Sequence, residues 1–131
     1  MSTPSHDTRR LYHFEEVYFR GQPTKPIATL RKLGERIWQA KSKKRHKCIP
    51  IIAGQGFWHL GRYYSYCDGS KIVLARNERK TFVLIHEMTH ALGYDYHDKS
   101  FVKAYLQLLI EYDKSINKHR ITKEARKHKI L

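Results

Sequence analysis

The chain has 131 residues and a mass of 15.6 kDa, one domain's worth of material, and its 40% hydrophobic content excludes wholesale disorder. Its 26 Lys+Arg against 12 Asp+Glu give a formal net charge of +14, a balance that favours polyanions such as nucleic acid or an anionic membrane. Only two cysteines, no apolar core in the first ten residues and no apolar run near the ~20 residues of a membrane span argue against a disulfide scaffold, an exported chain or a membrane protein. The expectation is a small, basic, cytoplasmic, monomeric protein with reduced thiols.

Residues 1–24 are polar and are expected to form an N-terminal arm, broken at Gly21-Gln-Pro-Thr-Lys-Pro26. Over residues 25–40, Ile27, Leu30, Leu33, Ile37 and Trp38 recur every three or four positions, which predicts an amphipathic helix. The basic run of residues 41–47 reads as a loop. Residues 48–53 form a short apolar stretch that suits a strand, residues 57–66 are rich in aromatics, and residues 71–75 are β-branched. Asp68-Gly69 between the last two is a strong hairpin signal. Residues 81–92 predict a helix stopped by Gly93. Asp98 can cap a following helix in which Phe101, Val102, Tyr105, Leu108, Leu109 and Tyr112 share a face. The fold class is α+β: a domain over residues 25–113 with a small three-stranded sheet, between the arm and a basic C-terminal tail over residues 114–131.

The sequence His86-Glu87-Met88-Thr89-His90 is an HExxH motif, a pattern of zinc metalloproteases. Its chance occurrence in a chain of this composition is about 0.03, so geometry has to carry part of the argument. On a helix turning ~100° per residue, His90 lies about 40° from His86 and one turn along, so both imidazoles can reach one ion. Leu84, Ile85, Met88, Ala91 and Leu92 fall almost opposite them, which places the histidines away from the apolar stripe. The competing readings are a pair of satisfied core histidines and a solvated face that happens to carry His.

Catalytic zinc sites have three protein ligands and an open fourth position. The best third ligand is His97, which the chain can bring back after turning at Gly93; Glu111 on the next helix is the rival, with Asp95 and Asp98 behind it. Three neutral ligands would leave Zn2+ its full double charge and lower the pKa of a bound water toward ~7. Glu87 would then serve as the general base. Tyr94 or Tyr96 could supply a phenol to a developing oxyanion, although packing is the plainer role for either.

From about residue 70 to 105 the chain resembles the SprT-like zinc metallopeptidases and their YgjP-type relatives. The matching stretches are Lys71-Ile-Val-Leu-Ala75, then His86-Glu-Met-Thr-His-Ala-Leu-Gly93, then His97-Asp-Lys-Ser-Phe101. The resemblance implies His86, His90 and His97 as metal ligands, Glu87 as general base and Phe101 as packing behind the third ligand. It further implies a minimal zincin fold with the strand over residues 71–75 beside the substrate cleft, where an extended peptide could add a strand. A metzincin would need His where Tyr96 stands, and Cys48 and Cys67 cannot make the zinc ribbon that many SprT proteins carry.

Members of that family act in part on DNA-bound proteins, and the charge of +14 is compatible with such a role. Lys43, Lys44, Arg45 and Lys47 in the central cluster, and Arg120, Lys123, Arg126 and Lys127 in the tail, are the candidate phosphate contacts. Tyr63, Tyr64 and Tyr66 could stack on unpaired bases, or simply pack. The leading expectation is therefore a zinc endopeptidase acting on a protein or peptide, with DNA as a further partner. The alternatives are a nucleic-acid-binding module with a structural zinc, and a zincin-fold regulator of one protein partner.

Overall fold

A computed structural model describes residues 6–43 and 47–131 and shows an α+β chain. It divides into two compact units: one is Pro23–Gly93, and the other joins the residues up to Gln22 to Tyr94–Leu131.

The first unit holds α2 (Ile27–Lys41), β1 (Ile51–Gly54), β2 (Phe57–His59), β3 (Arg62–Tyr64), β4 (Tyr66–Cys67), β5 (Ile72–Ala75), a 3₁₀ turn over Arg76–Glu78, and α3 (Thr81–Ala91). Its three-stranded sheet has the order β1-β5-β4. Strand β5 runs parallel to β1, with Ile51 opposite Ile72 and Gly54 opposite Ala75. It runs antiparallel to β4, with Cys67 opposite Ile72. All four β5 residues are buried, which is why its sequence is a continuous apolar run rather than an alternating one.

The turn between β4 and β5 is the one that Asp68-Gly69 predicts. The Asp68 carboxylate accepts from the Ser70 and Lys71 backbone N–H groups at 2.9 and 3.0 Å, and these bonds hold its pKa below the usual carboxylate range. The aromatic stretch of residues 57–66 is not one strand. It folds into β2, β3 and β4, with a second hairpin at Leu60-Gly61, where both residues have positive φ (46° and 86°).

The expectation of strand addition at residues 71–75 is overturned. Strand β5 has a neighbour on each side, and the Ala75 N–H donates to Ser65 Oγ at 2.9 Å where β4 no longer covers it. The sequence pattern identifies a strand but carries no information about which edges its neighbours occupy.

Helix α2 buries Leu30, Gly34, Ile37 and Trp38, positions spaced by four, three and one as an amphipathic face requires. Gly34 is there for close approach. A methyl group at its Cα would run into Ile51 Cδ1, with Met88 Sδ 3.4 Å and Leu84 Cδ1 3.6 Å away. The helix that carries the HExxH motif therefore packs against bare backbone.

The second unit consists of α1 (His6–Tyr18), α4 (Lys99–Tyr112) and α5 (Lys118–Lys127). The segment expected as an arm is helical and buries Leu11, Phe14 and Glu15. The Tyr105 hydroxyl donates to the Glu15 carboxylate at 2.6 Å, which satisfies a polar group inside this core. Helix α4 starts at Asp98, whose side chain accepts from the Phe101 N–H at 3.0 Å, as the sequence predicts. The basic tail is also helical: Asn117 caps α5, and Ile121 and Ala125 are buried. Among the described residues, no helix is long and apolar enough to cross a membrane.

Gly34→Ala should destabilise the protein by about 1–3 kcal/mol, the usual cost of overpacking, in urea denaturation. Adding Ile51→Val, which removes the offending Cδ1 methyl, should recover part of that loss. An unchanged midpoint in Gly34→Ala would show that the neighbouring side chain yields freely.

Candidate metal centre

Helix α3 carries His86, Glu87 and His90, and it is buried continuously from Val83 to Thr89. His86 is 5% exposed and Glu87 7%, so the histidine-bearing face is not open to solvent as the position of the apolar stripe suggests. Thr89 hides its hydroxyl by donating to the Ile85 carbonyl at 2.7 Å. Spacing of i and i+4 stacks the two imidazoles one turn apart, with ring centroids 5.2 Å from each other.

Leu92 closes the helix, and Gly93, at φ 113°, turns the chain with its N–H on the His90 carbonyl at 3.0 Å. Four residues later comes His97. The ligand atoms of His86, His90 and His97 all lie within 4.8 Å of one another. An ion bound tetrahedrally at ~2.0–2.1 Å separates its nitrogen ligands by about 3.4 Å, so this ceiling leaves the three rings within a small adjustment of a shared ion. Imidazole nitrogen is a donor of the right softness for the later first-row divalent metals. This group could hold a metal ion.

The rival ligands stand elsewhere. Among the described residues the group consists of the three histidines, without Glu111, Asp95 or Asp98. Glu111 is exposed in the last turn of α4, Asp95 is exposed, and Asp98 is engaged as the cap of α4. Behind the third histidine, the fully buried Phe101 sets its ring edge-on to His97 at 5.0 Å. Tyr94 and Tyr96 are exposed, the latter at 78%.

Sequence reasoning missed two neighbours of His97. On α1, Thr8 Oγ1 lies 3.2 Å from His97 Nδ1, and the Tyr12 ring stands edge-on at 5.5 Å. Their i, i+4 spacing is the one signal that could have found them, and nothing in it points to a histidine 89 residues away. Both cysteines are half-buried and neither is in a disulfide; burial, followed by the Glu35 carboxylate, pushes the Cys48 thiol up, which disfavours its thiolate.

Of the basic candidates, Lys43 and Lys47 are exposed, whereas Lys44 and Arg45 lie outside the described residues. Arg120, Lys123, Arg126 and Lys127 are exposed on α5, on the far side from Ile121 and Ala125. Tyr63 is exposed but meets Trp58 edge-on at 5.0 Å; Tyr64 is stacked against Phe57 at 5.7 Å and covered by the Arg62 guanidinium at 4.7 Å. Tyr64 thus has little free ring face for a base.

Comparison with protein-family models, with curated proteins and with solved structures gives no significant match.

Zinc titration with elemental analysis tests the ligand set. The unsubstituted protein and Glu111→Ala should each take up one equivalent, and His97→Ala, like His86→Ala, should lose tight binding. The reverse pattern, with loss only in Glu111→Ala, would overturn the assignment.

Proposed function

We propose that this chain is a zinc-dependent endopeptidase of the SprT-like, YgjP-related kind, with a minimal zincin-like fold. The observation that carries this reading is the grouping of His86, His90 and His97, with Glu87 next to His86 on the buried helix α3. The order strand, HExxH helix, third histidine, capped helix agrees with it, since β5 leads through one 3₁₀ turn into α3.

In this reading the three imidazoles hold Zn2+, which when bound supplies Lewis-acid polarisation of a peptide carbonyl and of a water. Glu87 accepts the proton of the attacking water on a carboxylate oxygen and passes it to the departing amine nitrogen. Its burial suits that task, because the proton transfer is shielded from bulk water. In the same reading Tyr96, the more exposed of the two phenols near the third ligand in sequence, is the candidate to donate a hydrogen bond to the carbonyl oxygen as it gains charge. A structural zinc site would need no such base, and Glu87 is what favours hydrolysis over a purely structural role.

A second property is supported by α5. Its exposed cations sit on a helix pinned by Ile121 and Ala125, so they form a fixed basic face rather than a loose tail. Such a face suits nucleic acid bound through its phosphates, and it would direct the peptidase to DNA-associated proteins.

Glu87→Gln should keep its zinc while peptide hydrolysis falls by roughly 10²–10⁴-fold, the usual contribution of a general base. Hydrolysis at an unchanged rate would remove Glu87 from that role. For the basic face, four phosphate contacts predict that log K for single-stranded DNA falls against log salt with a slope of about −3. Replacing Arg120, Lys123, Arg126 and Lys127 by alanine should flatten that slope, and a salt-independent affinity would contradict phosphate binding.

A further inference from the structure

We infer that Thr8 is a positioning residue for the metal site: its hydroxyl accepts from His97 Nδ1–H and so supports the tautomer and ring orientation in which Nε2 binds an ion. The inference rests on the reading of His97 as a ligand. A neutral imidazole has one protonated and one bare nitrogen, and only the bare one can ligate. Thr8 Oγ1 stands 3.2 Å from His97 Nδ1, at hydrogen-bonding distance. With the hydroxyl oxygen accepting from Nδ1–H, the lone pair is on Nε2. With the hydroxyl donating to Nδ1 instead, Nε2 carries the proton and cannot ligate. An ion at Nε2 selects the first arrangement, and the threonine then satisfies the proton that the ion cannot.

The surroundings fix both partners of this bond. The His97 ring is edge-on to Tyr12 at 5.5 Å and to Phe101 at 5.0 Å, and these two rings oppose its rotation about Cβ–Cγ. Helix α1 is tied to α4 at a second height, where the Tyr105 hydroxyl donates to the buried Glu15 at 2.6 Å. Thr8 and Glu15 lie two turns apart on α1, so both ties come from the same face of the helix. The N-terminal helix thereby becomes the outer shell of the third ligand. Partners of this kind set the orientation and basicity of a metal-bound imidazole, and their loss typically costs 10–100-fold in metal affinity.

The test compares Thr8→Val, Thr8→Ala and Thr8→Ser in the full chain, reading zinc affinity by competition with a chromophoric chelator and the melting temperature of the metal-free protein. Thr8→Val and Thr8→Ala, which lack the hydroxyl, should each bind zinc 10–100-fold more weakly. Thr8→Ser should stay within a few-fold of the unsubstituted protein. The metal-free melting temperature of Thr8→Ser and of at least one hydroxyl-free variant should be unchanged, and affinity is read on that variant. Unchanged affinity in the hydroxyl-free variants would overturn the inference, as would a Thr8→Ser variant as weak as Thr8→Val. His97→Ala separates the two levels. If it binds zinc as the unsubstituted protein does, the reading of His97 as a ligand fails; if it loses zinc while Thr8→Val does not, only the role of Thr8 fails.

Discussion

Helix α3 has no solvent-facing side between Val83 and Thr89, and this burial governs what its polar residues can be. A carboxylate and an imidazole taken out of water cost several kcal/mol unless hydrogen bonds or an opposite charge compensate. Chains fold against that cost where the groups serve chemistry. The burial is itself produced by small features elsewhere: the missing side chain at Gly34 lets α2 close on α3, and the all-apolar β5 gives the sheet a dry face. Without that enclosure, HExxH would be two histidines on a wet helix.

The three histidines that could hold an ion come from a short stretch of chain, and each turn of that stretch has a local cause. Helical spacing aligns His86 with His90. Gly93 adopts a positive φ that most residues resist, and Asp98 starts the next helix through its bond to Phe101 N–H. His97 is thus held between a forced stop and a capped start. The His97 ring meets Phe101 from within this stretch, and Thr8 and Tyr12 from outside it. The three histidines are thus local in sequence, while part of what surrounds the third comes from a helix far upstream.

How much of this was legible in the sequence follows from the same division. The hairpin at Asp68-Gly69, the cap at Asp98 and the stop at Gly93 were readable because each is enforced by the chemistry of one or two residues. The hairpin at Leu60-Gly61 was not, since leucine rarely adopts a positive φ and carries no turn signal. Helices α1 and α5 were hidden for a different reason. Their apolar residues are few among charges (in α5 only Ile121 and Ala125 are buried), and it is packing rather than propensity that orders them. Within the site, the HExxH spacing and a histidine after the helix could be read directly. The burial of Glu87, the flanking strands of β5 and the contact from Thr8 could not, because each depends on residues distant in the chain.

X-ray absorption at the zinc edge of the metal-loaded protein addresses the central claim most directly, since it reads the ion's first shell without reference to activity. The account predicts three nitrogen scatterers of imidazole type at ~2.0–2.1 Å, one further light atom and no sulfur. A sulfur shell near ~2.3 Å, which would bring in Cys48 or Cys67, or a shell without imidazole scattering, would contradict it.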